Sequence, residues 1–199
     1  LRAFMDALGI ERAIVGGSSL GGMVTAQFAV DYPERASALI VGHTIPYLWD
    51  LAVEWIDGLV EAARSGRTSI DVQPRSYPWE ESGPPTTNPA FAQSEIARLV
   101  ASVGTGVGRN VESVLKMHEA IRGWDQRPRY EDLHALRVPA LVIVGANEPQ
   151  KTIELAYEWH QQIPGAEFVI LRDTYHAAPR ENPLVWNRTV HDFLRRNGL

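Results

Sequence analysis

Hydrophobic residues recur along the chain in two patterns that alternate with each other. Short continuous apolar runs predict strands, and apolar residues spaced three and four positions apart predict helices. The predicted strands are Arg12–Gly16, Ala36–Val41, Ala140–Val144 and Phe168–Leu171, and the predicted helices are Leu1–Leu8, Met23–Tyr32, Thr152–Gln162 and Pro183–Arg196. Strands that alternate with helices in this way are typical of an α/β domain with a parallel sheet.

The middle of the chain, residues 44–136, has a different pattern and gives no strand signal. Helical periodicity covers Leu48–Val60, Phe91–Val103 and Val111–Ile121, and the proline-rich stretch Ser76–Pro89 reads as a loop. We therefore predict an α/β core formed by residues 1–43 and 137–199, interrupted by a helical insertion over residues 44–136.

The amino-acid composition of the chain excludes several classes of function. Hydrophobic residues make up 45% and charged residues 22%, which is ordinary for a globular protein with a core. The net charge of −5 gives no basic field for nucleic acid, and no apolar run approaches the roughly 20 residues that span a bilayer. Cysteine is absent, which excludes thiol catalysis, and no histidine pair has metal-site spacing. We expect a cytoplasmic protein with a small-molecule partner, no metal and no membrane contact; a homodimer remains open.

A glycine-rich turn between the first strand and the second helix carries the candidate chemistry. Gly17-Ser18-Ser19-Leu20-Gly21 matches G-x-S-x-G, the nucleophile elbow, with Ser19 as the nucleophile. The helix that follows directs its backbone N–H groups, with that of Leu20 as one donor, toward a developing oxyanion. A P-loop would need Lys after Gly21, and G-x-G-x-x-G does not match. The alternative is a glycine-rich turn without chemistry.

A serine nucleophile needs a base and an acid that orients the base, and both candidates lie downstream. Glu148 follows the strand that ends at Val144, and His176 follows the last strand. Carboxyl ends of parallel strands gather the sites of open α/β sheets, so these side chains are expected to converge with Ser19. Asn147 and Asp173 are alternatives to Glu148 as the residue that orients the base.

Taken together, these motifs resemble the α/β-hydrolase superfamily, in its serine-nucleophile branch with a helical cap. The resemblance rests on three stretches: Ile14–Gly22 with Tyr32–Arg35, Val138–Gly145, and His176 with Glu181–Pro183. It implies a Ser19–His176–Glu148 triad, residues 44–136 as the cap, and no cofactor. The implied reaction is cleavage of an ester, lactone, thioester or activated C–C bond in a small, largely apolar substrate.

Two departures from the family pattern qualify this expectation. The acid position usually holds Asp, whereas this chain has Glu148. Family members also begin with about four strands and a loop that supplies the second oxyanion donor, and we expect the chain to lack this part. The alternatives are an incomplete hydrolase that acts as a binding module or is inactive alone, and a non-hydrolytic relative such as a lyase or a cofactor-free oxygenase or haloperoxidase.

Residues that line the substrate pocket are harder to predict. His43 directly follows the second strand, at the same end of the sheet as the elbow, and is a candidate pocket residue. Trp49 and Trp124 lie near the two ends of the insertion and are candidates for walling an apolar pocket. His118 falls on an apolar helical stripe, and we expect it to be packed inside the insertion.

Overall fold

The structure is a computed structural model that describes residues 1–65 and 111–199. The described residues contain a four-stranded parallel sheet in the order β1-β2-β3-β4. The strands are β1 (Ala13–Ser18), β2 (Ala36–Gly42), β3 (Ala140–Gly145) and β4 (Glu167–Leu171). All four predicted strands and their parallel arrangement are thus confirmed, with small shifts of their ends.

Eight α-helices accompany the sheet in the described ranges. They are α1 (Arg2–Ala7), α2 (Leu20–Asp31), α3 (Asp50–Arg64), α4 (Val111–Arg122), α5 (Tyr130–Ala135), α6 (Gln150–Gln161), α7 (Ala178–Glu181) and α8 (Pro183–Arg196). Sequence periodicity missed α5 and α7 because helices of six and four residues are too short to show it. The predicted loop Ser76–Pro89 and helix Phe91–Val103 lie outside the described residues.

The two central strands are covered on both faces, which explains their continuous apolar sequences. Successive side chains of a strand point to opposite faces, so Leu39 and Val41 join one core cluster while Ala38 and Ile40 join another. The first cluster is formed with α2 and α6, around the fully buried Trp159, and the second with α8, around Phe193. These two cores hold the sheet rigidly between helices.

The carboxyl ends of the four strands meet at one edge of the sheet. Ser18 is paired with Gly42, Gly42 with Ile143, and Gly145 with Leu171. The residues that immediately follow each strand therefore leave the sheet side by side. This register brings together Ser19, His43, the turn containing Glu148 and the loop containing His176.

Helices α3 and α4 lie above this edge and pack against each other through Ile56, Leu59 and Ile121. The two connections to them also meet: Tyr47 and Asp125 form an antiparallel bridge, and the Gln126 N–H donates to the carbonyl of Pro46 over 2.8 Å. No helix within residues 1–65 and 111–199 is long and apolar enough to cross a membrane.

Candidate active site

Ser19 occupies a strained turn between β1 and α2. Its φ and ψ are 57° and −122°, a backbone conformation that side-chain-bearing residues rarely adopt outside functional sites. The turn is so sharp that a Cβ at Gly17 would lie 2.3 Å from the backbone of Gly21. Glycine at residue 17 is therefore needed for the close approach of strand and helix, whereas a Cβ at Gly21 would meet no atom within 4 Å.

The turn is held by backbone hydrogen bonds on both sides. The Ser19 N–H donates to the carbonyl of Gly42 over 2.9 Å, and the Ser19 carbonyl accepts from Gly22 over the same distance. Leu20 is the first residue of α2, and both Ser19 and Leu20 line the cavity described below. The first N–H groups of a helix have no partner within the helix, so the Leu20 N–H lies at the positive end of the α2 dipole.

Glu148 is the acidic side chain at the centre of the site. It lies in the turn between β3 and α6, and its side chain is only 1% exposed. Its Oε1 accepts from His43 Nδ1 over 2.6 Å and from the Gly145 N–H over 3.2 Å, and its Oε2 accepts from His176 Nδ1 over 3.2 Å. Burial raises the pKa of a carboxyl group, but the hydrogen bonds from His176 and His43 outweigh burial and lower the pKa of Glu148 to about 2.

His176 lies on the loop between β4 and α7. Its side chain is 46% exposed, and it also borders the cavity. Burial of its inner side disfavours the imidazolium, yet the hydrogen bond and charge of Glu148, with the charge of Glu181, outweigh this and raise the pKa of His176. An imidazole with a raised pKa is a stronger base. Because Nδ1 of His176 is hydrogen-bonded to Glu148, Nε2 is the ring nitrogen that can take up a proton.

The loop that carries His176 is fixed by a second buried acid that the sequence analysis did not single out as functional. Glu181, which is 2% exposed, accepts from the Tyr175 N–H over 2.7 Å and from the Ala177 N–H over 2.9 Å. These two amides flank His176, so Glu181 fixes the backbone on both sides of the imidazole. The only sequence signal for this function was the position of Glu181 between the histidine and the last helix.

Of the three candidates for the residue that orients the base, Glu148 is hydrogen-bonded to His176 and also borders the cavity. Asp173 has an exposed side chain, and Asn147 is half-buried; neither borders the cavity as the described residues form it. The Asn147 N–H donates to the carbonyl of Thr174, which ties the turn after β3 to the loop after β4. Glu148 therefore has the geometry expected of the acid.

His43 has a closer connection to the site than the sequence predicted. It borders the cavity, as expected of a pocket residue, but its side chain is fully buried and is hydrogen-bonded to Glu148. The two residues are 105 positions apart in the chain, and they meet because β2 and β3 are neighbours. The signal available in the sequence was a polar residue directly at the end of a buried strand.

A cavity of about 230 Å³ lies over these residues. The strand-end residues form its floor, and apolar side chains from α3 and the segment before it form most of its wall. Those wall residues are Ile45, Leu48, Trp49, Ala52, Trp55, Ile56 and Leu59. The prediction that Trp49 walls an apolar pocket thus agrees with its position.

Two other residues of the insertion lie where the sequence did not predict them. Trp124 does not border this cavity: its indole packs edge-on against Trp159, with ring centroids 6.4 Å apart, and its N–H donates to the carbonyl of Ile45 over 2.7 Å. His118, expected to be packed inside the insertion, instead borders the cavity from α4. Burial lowers the pKa of His118.

Within residues 1–65 and 111–199, no three His, Cys, Asp or Glu side chains are arranged so that they could hold a metal ion. The site consists of protein groups: a strained serine, a helix N-terminus, and a carboxylate shared by two imidazoles. This set of groups is suited to activating a hydroxyl and stabilising an oxyanion.

Comparison with known proteins identifies relatives that are named as hydrolases. The chain is 26% identical over 194 residues to 3-oxoadipate enol-lactonase 2 of Acinetobacter baylyi, a match that covers 98% of this chain and 68% of the relative. It is 24% identical over 206 residues to a 2-hydroxy-6-oxononadienedioate/2-hydroxy-6-oxononatrienedioate hydrolase of a Pseudomonas species, covering 98% and 67%. The chain thus spans about two thirds of the length of these relatives.

Solved structures of similar proteins superpose on most of this chain. The enol-lactonase from Burkholderia xenovorans LB400 superposes with a TM-score of 0.74 and 26% identity, covering 96% of this chain and 69% of that one. A hydrolase from Pseudomonas aeruginosa PA01 superposes with a TM-score of 0.75 and 24% identity, covering 97% and 68%. The model of the alpha/beta hydrolase family matches residues 1–188. The chain therefore belongs to the alpha/beta hydrolase family and has the α/β-hydrolase fold.

Proposed function

We propose that this chain carries the site of a serine hydrolase, with Ser19 as nucleophile, His176 as general base and acid, and Glu148 as the residue that orients the imidazole. The observation that carries the proposal is the strained Ser19 turn on the same cavity as the His176–Glu148 pair, whose Nδ1 and Oε2 are 3.2 Å apart. Family membership and the hydrolases among its relatives support the reaction class.

The proposed reaction has two steps. His176 Nε2 takes the hydroxyl proton of Ser19 as Oγ attacks the substrate carbonyl carbon, and the same nitrogen then gives the proton to the leaving group. Water hydrolyses the acyl-enzyme by the reverse sequence of proton transfers. Glu148 holds Nδ1 and stabilises the imidazolium that exists between the two transfers. The raised pKa of His176 supports its role as the base.

The negative charge that develops on the carbonyl oxygen needs hydrogen-bond donors. The N–H of Leu20 at the start of α2 is one such donor in this proposal, and the helix dipole adds to its effect. Removing one donor of an oxyanion hole typically costs about 10²–10³-fold in kcat.

The cavity supports a small, largely apolar acyl group. Its volume of about 230 Å³ is below the roughly 300–1,000 Å³ of typical ligand pockets. The wall from α3 is aliphatic and aromatic. We infer an ester, lactone or thioester of a small acid, or an activated C–C bond next to a ketone; the relative named an enol-lactonase falls, by its name, in the lactone class.

A second candidate is a non-hydrolytic reaction on the same residues. The chain is 25% identical over 206 residues to a protein named as a putative 2-succinyl-6-hydroxy-2,4-cyclohexadiene-1-carboxylate synthase of Bacillus subtilis, a match that covers 98% of this chain. In such a reaction the His176–Glu148 pair would remove a proton without an acyl-enzyme. The two candidates therefore differ in whether Ser19 becomes acylated.

Turnover of p-nitrophenyl acetate and butyrate tests the proposal. Ser19→Ala is expected to lower kcat by several orders of magnitude, because the residual rate comes only from binding and the oxyanion donor. The matched control is Ser18→Ala, which removes a hydroxyl one residue away and is expected to retain the wild-type rate. Equal rates for wild type and Ser19→Ala would overturn the proposal. Absence of ester turnover by a folded wild type would favour the non-hydrolytic candidate or a binding module.

A further inference from the structure

Two imidazoles share the carboxylate of Glu148, and the proposed mechanism uses only one of them. His43 Nδ1 lies 2.6 Å from Oε1, whereas His176 Nδ1 lies 3.2 Å from Oε2. The side chains of His43 and Glu148 are 0% and 1% exposed, so the shorter hydrogen bond is shielded from water. Hydrogen bonds to charged groups in such surroundings are the stronger ones.

The position of the His43 ring is determined by its neighbours. The ring stacks on the indole of Trp186 with centroids 5.4 Å apart and 28° between the planes. The same indole lies 2.7 Å from where a Cβ on Gly42 would be, so the backbone before His43 also packs on it. The φ of His43 is 50°, a left-handed conformation that turns the chain sharply after β2. His43 is therefore held in place independently of Glu148.

The chemistry of the pair assigns the proton on His43. An ionised carboxylate only accepts hydrogen bonds, so Nδ1 carries the hydrogen that is donated to Glu148. His43 Nε2 is buried and has no hydrogen-bond partner among the described residues. The described hydrogen bond of the ring is therefore the one that Nδ1 donates to Oε1 of Glu148.

We infer that His43 is a positioning residue that anchors one oxygen of Glu148 so that the other oxygen is presented to His176. This inference rests on the proposed function, in which Glu148 orients the general base. It accounts for a glutamate at a position where the resembling family usually holds aspartate. The additional methylene group lets one carboxylate reach both the imidazole behind it and the imidazole at the cavity.

The anchoring function makes a specific demand on residue 43: a hydrogen-bond donor at the place of Nδ1. The amide nitrogen of asparagine occupies nearly that place, and asparagine also tolerates a positive φ. His43→Asn therefore keeps the anchor, and His43→Ala removes it. His43→Leu fills the space without a donor and replaces the alanine variant if that variant does not fold.

The test combines turnover with the titration of His176. We expect His43→Ala to lower kcat for p-nitrophenyl butyrate by about tenfold to 100-fold with KM little changed, since a charge-assisted hydrogen bond is lost. We also expect the pKa of His176, followed by NMR of its ring protons, to move down toward its ordinary value because Glu148 no longer faces it in a fixed orientation. His43→Asn is expected to restore most of both properties.

The inference would be overturned if His43→Ala left both kcat and the His176 titration unchanged. Equal losses in the alanine and asparagine variants would also overturn it, because they would show that ring packing on Trp186 matters and the donor does not. Failure of the proposed function is distinguishable: wild type would then turn over no ester, while the His176 titration in the same variants would still report whether His43 fixes Glu148.

Discussion

Shortening Glu148 to aspartate tests whether the length of the acidic side chain is part of this site. Glu148→Asp withdraws the carboxylate by about 1.5 Å, the length of one C–C bond. The present contacts are 2.6 Å to His43 and 3.2 Å to His176, on different oxygens. After such a withdrawal at least one of these hydrogen bonds exceeds the distance at which it contributes.

The expected cost follows from the strength of the lost contact. A hydrogen bond to a charged group contributes about 1.5–3 kcal/mol. At about 1.4 kcal/mol per factor of ten, Glu148→Asp should lower kcat by roughly tenfold to 150-fold. Resemblance to the family alone predicts the opposite result, because aspartate is the usual residue there. A lower kcat in Glu148→Asp would therefore support the requirement for side-chain length, and an unchanged kcat would support the family pattern.

The assay is kcat and kcat/KM for p-nitrophenyl butyrate, measured beside the NMR titration of His176. Glu148→Gln is the matched control, because it keeps the length and removes the charge; it is expected to cost on the order of 10⁴-fold, as loss of the acid does in other triads. An aspartate variant with wild-type kcat and an unchanged pKa of His176 would refute the argument from length.

Three further predictions concern the acids and the base of the site. The pKa of Glu148 is about 2 in the folded protein against an ordinary 4.5, so Glu148 contributes about 3 kcal/mol of stability above pH 4.5 that is lost as the pH falls toward 2. Between pH 6 and pH 3, urea unfolding should show wild type losing about 2 kcal/mol more stability than Glu148→Gln does; equal losses in the two proteins would contradict the lowered pKa. The pKa of His176 is raised above 6.5, and the imidazole must be neutral to act as a base. The acidic limb of the pH profile of kcat/KM should therefore have its midpoint above pH 6.5, and this midpoint should shift to lower pH in Glu148→Gln. An unchanged midpoint in that variant would contradict the role of Glu148. Glu181→Ala should lower kcat more than Glu181→Gln does, because glutamine retains one acceptor for the amides of Tyr175 and Ala177. Equal values of kcat in both variants and in wild type would show that the loop needs no such support.

Features of the site that depend on local backbone geometry could be predicted from the sequence. The spacing of Gly17, Ser19 and Gly21 reports the sharp turn directly, since a side chain at residue 17 would overlap the backbone of residue 21. Glu148 and His176 could be placed because each lies in the loop that follows a strand. In a parallel sheet, strand ends meet at one edge, so sequence position there translates into spatial position.

Features that depend on which strands are neighbours could not be predicted. The hydrogen bond between His43 and Glu148 requires β2 to lie beside β3, across an insertion that separates them in the chain. Likewise, the side on which Trp124 packs is decided by Trp159, a residue of the core rather than of the insertion. Such contacts are set by tertiary packing, which hydrophobic periodicity does not encode.

The central claim is that Ser19 is a nucleophile activated by His176, and covalent labelling tests it most directly. A fluorophosphonate reagent should phosphonylate the wild-type chain once, and mass spectrometry of its peptides should locate the added mass on Ser19. We predict no labelling in Ser19→Ala, normal labelling in Ser18→Ala and much slower labelling in His176→Ala. Labelling that persists in Ser19→Ala, or a folded wild type that is not labelled at all, would contradict the account.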